Sequence, residues 1–171
     1  MAPLVIAHRT CPRDEPENSL TGITRAPALG ADAVEIDVRL TSDGAPVLLH
    51  DRWLLRTKWW PLRLTWVGLQ RLERLPMPHG PPPRLDEALA ALGETTRVAI
   101  DVKDPAATAA VISEVRNQSL EERALFWSKY EPAVRQAAAV APDVETSLLR
   151  DAKGPDEVKR FLADAAASAP G

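Results

Sequence analysis

The chain has 171 residues, 21 basic and 24 acidic, and a formal net charge of -3. This length fits one domain with a substantial core, and the near balance of charge gives no overall electrostatic argument for binding nucleic acid. Cys11 is the only cysteine, which excludes an intrachain disulfide. The chain has neither the roughly 18 consecutive apolar residues of a membrane span nor a signal-peptide core near its start, so we expect a cytoplasmic protein.

Apolar runs and helical patterns alternate along the first half of the chain. They predict a strand over residues 4–8, a helix from Asn18 or Ser19 to about Leu29, a strand over 33–38, a turn at Asp43 and Gly44, and a returning strand over 46–50. Residues 52–80 are rich in Trp, Arg and Pro and follow no regular pattern.

The second half continues the alternation. The predicted elements are a helix over 84–92, a strand over 97–103, a helix over 105–117, a strand over 124–128, a helix over 132–140, a strand over 144–149 and a helix over 155–167. Strands and helices that alternate at this spacing indicate right-handed βαβ units on a parallel sheet. Functional groups in such sheets gather at the C-terminal ends of the strands.

Acidic side chains occupy one face of the second predicted strand. Side chains alternate along a strand, so Glu35 and Asp37 share a face. If Asp43 and Gly44 form a two-residue hairpin turn, His50 lies directly opposite Asp37 on that face. Two neighbouring carboxylates repel each other unless something positive lies between them.

Later residues extend this cluster. Asp101 shares a face with Lys103 on the predicted strand over 97–103, and the first strand ends at His8, followed by Arg9. Three carboxylates offer the hard oxygen ligands that Mg²⁺ or Ca²⁺ prefers. Histidines beside such an ion suit general acid and base work, and cations suit a phosphate. The combination predicts phosphodiester cleavage.

An ordered series of short motifs resembles the glycerophosphodiester phosphodiesterase family. The motifs are HisArg at 8–9, ProGluAsn at 16–18, GlyAlaAsp at 30–32, GluIleAsp at 35–37, ThrSerAspGly at 41–44, HisAsp at 50–51, ArgThr at 56–57, ArgLeuAspGluAlaLeu at 84–89 and IleAspValLys at 100–103. The resemblance implies a TIM-type (β/α)₈ barrel with a β-hairpin inserted after strand 2. It also implies a reaction that converts a glycerophosphodiester to glycerol 3-phosphate and an alcohol.

The same resemblance assigns roles to the clustered residues. A divalent cation, Mg²⁺ or Ca²⁺, would be held by Glu35, Asp37 and Asp101. His8 and His50 would be the acid and base. Phosphate would be bound by Arg9 and Lys103, and Glu17 would orient the substrate or complete the metal shell.

Three features depart from the family pattern. Thr10 stands where a glycine is usual, so a turn that favours glycine must accept a β-branched residue or change shape, which would displace Arg9. Asp101 stands where Glu is usual and is one methylene shorter, which would lower metal affinity. The chain also ends after about five of the eight strands. We therefore expect residues 1–171 to form one incomplete barrel domain that self-associates through open sheet edges.

Simpler interpretations remain open for each feature. The acids could belong to an ordinary exposed strand face, Lys103 could only pair with Asp101 or Asp104, and Glu17 could be a favourable charge at a helix N-terminus. The alternative functions are a catalytically inert barrel fragment that binds metal, phosphate or a partner, and a lysophospholipase D-like enzyme.

A tryptophan-rich segment separates the two enzyme alternatives. Residues 53–66 carry four tryptophans interleaved with basic residues and no acid: Trp53, Trp59, Trp60 and Trp66. Such a segment could contact a phospholipid surface with its rings at headgroup depth, or it could simply pack over the barrel mouth.

Overall fold

The computed structural model describes residues 4–56, 61–150, 154–157 and 159. The strands are β1 (Ile6–Ala7), β2 (Ala33–Leu40), β3 (Pro46–Leu48), β4 (Trp53–Arg56), β5 (Pro61–Arg63), β6 (Arg97–Val102), β7 (Ala124–Ser128) and β8 (Glu145–Leu148). The α-helices are α1 (Leu20–Arg25), α2 (Leu69–Leu72), α3 (Leu85–Ala90), α4 (Thr108–Asn117) and α5 (Glu131–Val140).

Five of these strands form one parallel sheet in the order β1, β2, β6, β7, β8. A helix follows each of β1, β6 and β7, and α3 lies between the β3–β5 region and β6. This is the arrangement of consecutive βα units that the alternating pattern predicts. The hairpin strand β3 pairs antiparallel with the end of β2, so the predicted insertion after the second parallel strand is present.

The two faces of the parallel strands have opposite character. Val34, Ile36 and Val38 of β2 are fully buried in the main core, together with apolar residues of β6, β7 and the helices. The alternate residues of β2 lie on the other face, and two of them are Glu35 and Asp37. Apolar packing on the helix-covered face thus fixes where the acids lie.

The hairpin register differs from the sequence prediction. Leu40 pairs with Pro46, and the N–H of Leu49 donates to the Asp37 carbonyl at 2.9 Å. The residue opposite Asp37 is therefore Leu49, and the predicted pairing of Asp37 with His50 is wrong. β3 ends at Leu48, before His50.

Thr41 is the physical reason for the shifted register. Its backbone N–H donates to the Ala45 carbonyl at 3.0 Å, and its hydroxyl accepts from the Ala45 N–H at 2.9 Å. Gly44 adopts a φ of +83°, which closes a three-residue loop with a left-handed final residue. The extra residue, relative to a two-residue turn, moves the pairing by one position.

The segment after the hairpin is more ordered than its composition predicts. β4 and β5 pair antiparallel, and the short helix α2 follows. Together with β3 they enclose a second buried cluster of Val47, Leu54, Leu64, Val67 and Leu72. Both carboxylate oxygens of Asp43 accept from the Leu69 N–H at 3.1 Å, which ties the hairpin loop to the start of α2.

Several element boundaries differ from the predicted ones. The first strand shortens to two residues, and the predicted helix to Leu29 changes at Ala26 into a 3₁₀ turn that contains Pro27. Of the predicted final helix over 155–167, only residues 155–157 and 159 are described, and they are helical. No helix in the described ranges combines the length and apolar character needed to cross a membrane.

Candidate active site

Three buried carboxylates meet near the C-terminal ends of β2 and β6. Glu35 and Asp37 come from β2, and Asp101 is the direct partner of Asp37 in the register with β6. Their residues are 5%, 0% and 7% exposed, respectively. One oxygen of each carboxylate lies within 4.8 Å of the other two. Carboxylates this close and this deeply buried need a compensating positive charge.

Lys103 supplies positive charge between two of these acids. Its Nζ lies 2.9 Å from Asp37 Oδ1 and also pairs with Asp101. Burial alone would lower the pKa of Lys103, but hydrogen bonds to Asp101 and Asp37 raise it above its ordinary value. Burial alone would raise the pKa of Asp37, but hydrogen bonds from Asn18 and Lys103 hold it below its usual range. Asp37 is therefore ionised at neutral pH.

Glu35 is the acid whose charge is least compensated. Burial raises its pKa to about 7, and the neighbouring charge of Asp37 adds to the effect. The backbone N–H of Arg9 donates to Glu35 Oε2 at 2.7 Å and partly opposes the rise. Glu35 is thus only partly ionised near neutral pH unless a further cation approaches.

Buried polar atoms without partners converge on this cluster. Within the described residues, the buried Asp101 Oδ1 forms no hydrogen bond, Arg9 Nε has only its ion pair with Asp37 Oδ2 at 3.5 Å, and Asp37 Oδ1 has only its ion pair with Lys103. Unsatisfied buried polar atoms are costly, and several together are typical of a site completed by a ligand. The carboxylate oxygens fit a hard divalent cation, and Arg9 Nε fits an anion beside it.

Two histidines flank the carboxylates from different elements. His8 begins a 3₁₀ turn after β1, is exposed, and has its Nε2 3.9 Å from Glu35 Oε2. His50 Nδ1 shares a hydrogen bond of 2.9 Å with Asp51 Oδ1. Although His50 is not opposite Asp37 in the hairpin, it is near enough for its charge to contribute to the lowered pKa of Asp37. His8 therefore lies beside the acids, and the catalytic roles of both histidines stay predictions.

Arg9 is held over the cluster despite the threonine that follows it. Arg9, Thr10 and Cys11 all have positive φ values, of 48°, 70° and 96°. The turn thus keeps a left-handed shape and Thr10 adopts it, at a cost in backbone strain. Arg9 Nε remains 3.5 Å from Asp37 Oδ2, and Arg9 Nη1 donates to Glu17 Oε2 at 3.1 Å.

The structure adds three residues that the sequence reasoning missed. Asn18 is buried and forms two hydrogen bonds of 2.9 Å with Asp37, one from its amide and one to its carbonyl oxygen. Trp127 is the register partner of Asp101, so it lies on the same face of the sheet. Arg39 lies on the acidic face of β2 by the same alternation that places Glu35. The alternation was available from the sequence, whereas the Trp127 register required the fold.

Consecutive parallel βα units with acids, histidines and cations at their carboxyl edge define a barrel-type phosphoric ester hydrolase. The family model described as "Glycerophosphoryl diester phosphodiesterase family" matches residues 8–162, and the chain belongs to this family. The resemblance found from the sequence motifs is thereby confirmed, and the family is one of phosphoric diester hydrolases.

Individual relatives agree with this assignment. A glycerophosphodiester phosphodiesterase from Caldanaerobacter subterraneus subsp. tengcongensis is 30% identical in an alignment 163 residues long, which covers 87% of this chain and 67% of that protein. Human glycerophosphodiester phosphodiesterase 1 is 37% identical in an alignment 109 residues long, which covers 57% of this chain and 33% of that protein. The chain thus spans about two thirds of the first relative and a third of the second.

Solved structures show the same fold. A phosphodiesterase from Oleispira antarctica, in complex with the product sn-glycerol-3-phosphate, has a TM-score of 0.77 and 26% identity, covering 94% of this chain and 71% of that one. A glycerophosphodiester phosphodiesterase from Thermotoga maritima has a TM-score of 0.76 and 23% identity, covering 96% and 72%. The predicted TIM-barrel class is confirmed, and the five parallel strands are consecutive strands of such a barrel.

Proposed function

We propose that this chain hydrolyses glycerophosphodiesters to glycerol 3-phosphate and an alcohol, with His8 and His50 as acid and base. The observation that carries the proposal is the group of three buried carboxylate oxygens within 4.8 Å, with both histidines beside it. Membership of the phosphodiesterase family supports the substrate class. The product complex of the Oleispira antarctica relative supports glycerol 3-phosphate as the product.

In this proposal Glu35, Asp37 and Asp101 hold Mg²⁺ or Ca²⁺. The donor set is all oxygen, and the buried Asp101 Oδ1 has no hydrogen-bond donor in the described part of the chain. A bound divalent ion would polarise a phosphoryl oxygen and stabilise the charge that develops as the P–O bond breaks. It would also offset the repulsion that raises the pKa of Glu35.

The remaining residues would bind the phosphate and move protons. Arg9 Nε, which is buried and has an ion pair with Asp37 at 3.5 Å but no hydrogen bond among the described residues, would donate to a phosphate oxygen, and Lys103 would neutralise a second one. Glu17 positions Arg9 through the contact at 3.1 Å. One histidine would take the proton of the attacking oxygen and the other would protonate the leaving alcohol. The hydrogen bond between Asp51 and His50 Nδ1 leaves His50 Nε2 available for that transfer.

A hydrolysis assay with glycerophosphocholine tests this function. We expect release of choline and glycerol 3-phosphate with Mg²⁺ or Ca²⁺ and none with EDTA. His8→Ala and His50→Ala should each lower kcat by about 100-fold or more, as expected for loss of a general acid or base. His79→Ala is the matched control, because His79 is exposed and lies outside the carboxylate cluster. No turnover with either ion would contradict the proposal and favour the inert fragment.

We also propose that part of the tryptophan-rich segment contacts phospholipid. Trp53 and Trp66 are 43% and 61% exposed, and their rings meet edge to face with centroids 6.4 Å apart. Arg63 lies over both rings, at 5.2 and 5.7 Å from their centroids. An exposed aromatic pair with a cation suits the headgroup region of an anionic membrane. Trp59 and Trp60 lie outside the described residues.

Vesicle flotation tests the phospholipid contact. Vesicles of phosphatidylcholine with phosphatidylglycerol should retain the protein, and the double variant Trp53→Ala and Trp66→Ala should reduce the bound fraction several-fold. Val140→Ala, an equally exposed apolar position on α5, should leave binding unchanged. Equal binding by all three proteins would exclude a role for the tryptophan pair.

The outer edge of β8 is a further proposed contact, between copies of this chain. β8 pairs with β7, and no other strand in the described ranges covers its second edge. Glu145 and Ser147 of β8 lie on the face that carries the acids and are exposed. Uncovered strand edges are ready templates for pairing with another chain.

A further inference from the structure

We propose that a cavity next to the carboxylate cluster, bordered by Arg39, Arg52 and Arg63, binds a second phosphate group on the alcohol half of the substrate. The inference rests on the proposed function and specifies its substrate class: glycerophosphodiesters whose alcohol is itself phosphorylated. The cavity has a volume of about 250 Å³ and is also lined by Lys103, Asp104 and Tyr130.

The sheet register connects this cavity to the carboxylates. In the register of β2 with β6, Asp37 lies opposite Asp101. The next residues on the same face of the two strands are Arg39 and Lys103. A pair of neighbouring acids on the two strands is therefore followed, two residues further towards the C-terminal edge of the sheet, by a pair of neighbouring cations. Two residues along a strand span roughly 7 Å. One phosphate beside the pair of acids and a second phosphate beside the pair of cations would thus lie about as far apart as two substituents of a small polyol.

The charge in the cavity is mostly uncompensated. Within the described residues, Arg39, Arg52 and Arg63 form no ion pair, whereas Lys103 is paired with two of the acids. Asp104 is the one acidic residue among those that line the cavity. Three guanidinium groups around one small cavity repel each other, and an anion that lies between them offsets this repulsion. A phosphate dianion matches that excess of charge.

Two of the arginines are held in place before any ligand binds. Arg39 Nε donates to the backbone carbonyl of His50 at 2.9 Å, which links the cavity to the proposed acid and base. Arg63 lies over the rings of Trp53 and Trp66. Cations fixed by such contacts lose little conformational freedom on binding, so they discriminate between ligands better than mobile surface side chains do. A cationic alcohol such as choline gains nothing from this cavity, so glycerophosphocholine should still be hydrolysed but with a lower kcat/KM than a substrate whose alcohol is phosphorylated.

The test compares two substrates that differ by one phosphate, glycerophosphoinositol and glycerophosphoinositol 4-phosphate. At low ionic strength we expect kcat/KM to be about tenfold higher for the phosphorylated substrate, and the ratio should fall as salt screens the charges. Each of the single variants Arg52→Gln and Arg63→Gln should bring the ratio of the two kcat/KM values close to one. Neither should change kcat/KM for the unphosphorylated substrate. Arg71→Gln is the matched control, since Arg71 belongs to the same inserted segment but does not line the cavity.

The outcomes separate this inference from the proposed function. Turnover of both substrates with a ratio near one in the unmodified protein overturns the inference and leaves the phosphodiesterase proposal intact. If neither substrate is hydrolysed, calorimetric titration with inositol 4-phosphate decides the point. Binding of inositol 4-phosphate that weakens at least fivefold in Arg52→Gln but not in Arg71→Gln supports the anion cavity. Equal binding, or no binding, in the unmodified protein and in both variants overturns it.

Discussion

Glu35 links the proposed metal site to pH. Glu35 is 5% exposed, and the pKa of its carboxyl group is raised to about 7, by burial first and by the charge of Asp37 second. A metal ligand must be deprotonated, so an ion that binds Glu35 has to displace this proton whenever the pH is below that value. Asp37, whose pKa is lowered, is already ionised throughout this range.

We therefore expect Mg²⁺ or Ca²⁺ affinity to rise with pH up to about 7, by up to tenfold per unit, and to level off above it. Calorimetric titration between pH 5.5 and 8.5 measures this dependence directly. In Glu35→Gln the affinity should be lower and its slope below pH 7 should disappear. A constant affinity in the unmodified protein across this range would show that Glu35 does not exchange its proton for the ion.

At the residue scale, the sequence predicts more of the site than its motif residues alone would suggest. The alternation of side chains on β2 is enough to bring Glu35 and Asp37 together, and by the same reasoning it also places Arg39 beside them. Asn18 could not be assigned to Asp37 from sequence, because the contact joins a loop to a strand and depends on a positive φ of 53° at Asn18. Such backbone conformations are set by tertiary packing.

At the scale of elements, α1 and the turn that follows β1 fit each other through Thr10 and Gly22. A Cβ added at Gly22 would lie 2.3 Å from the Thr10 hydroxyl oxygen and 2.9 Å from its Cβ. At a solvent-exposed position inside a helix, replacing glycine by alanine stabilises the folded protein by roughly 1 kcal/mol. Here the clash should reverse that sign, and we expect Gly22→Ala to cost about 2 kcal/mol of unfolding free energy.

A double-mutant cycle by urea denaturation isolates this contact. In the Thr10→Gly background the cost of Gly22→Ala should shrink by about 1 kcal/mol or more, since the two Thr10 side-chain atoms at 2.3 and 2.9 Å are removed and the Thr10 carbonyl oxygen at 3.0 Å remains. Gly93→Ala is the matched control: its Cβ would meet the Thr96 hydroxyl at 3.3 Å, and Thr10→Gly should not alter its effect. Additive effects of Thr10→Gly and Gly22→Ala would refute the packing argument.

Some of the elements can be predicted from the sequence pattern and others cannot. The parallel strands β2, β6 and β7 are rich in buried apolar residues and lie between helices, so their order follows from the pattern. The hairpin register does not, because Asp43 and Gly44 suit two-residue and three-residue loops alike, and the hydrogen bonds of Thr41 decide between them. β4 and β5 were missed because their residues carry no alternation, and their order depends on packing against Val47.

For the whole molecule, the important feature is the strand at the end of the sheet. Leu149 N–H donates to the Ser128 carbonyl at 2.8 Å, so the backbone groups of Leu149 face β7. Along a parallel strand these groups alternate between the two neighbours, so the N–H of Ser147 also faces β7, and the N–H of Thr146 faces the outer edge. No strand in the described ranges accepts from that edge.

We expect the protein to associate reversibly as its concentration rises, with multi-angle light scattering showing a mass above 18.6 kDa. Thr146→Pro removes an N–H from the outer edge alone, so it should reduce association at a modest cost in stability. Ser147→Pro removes an N–H that faces β7 and should lower the thermal midpoint clearly more. A protein that stays monomeric at all concentrations, or that associates equally in Thr146→Pro, would rule out this edge as the contact and locate any assembly elsewhere on the surface.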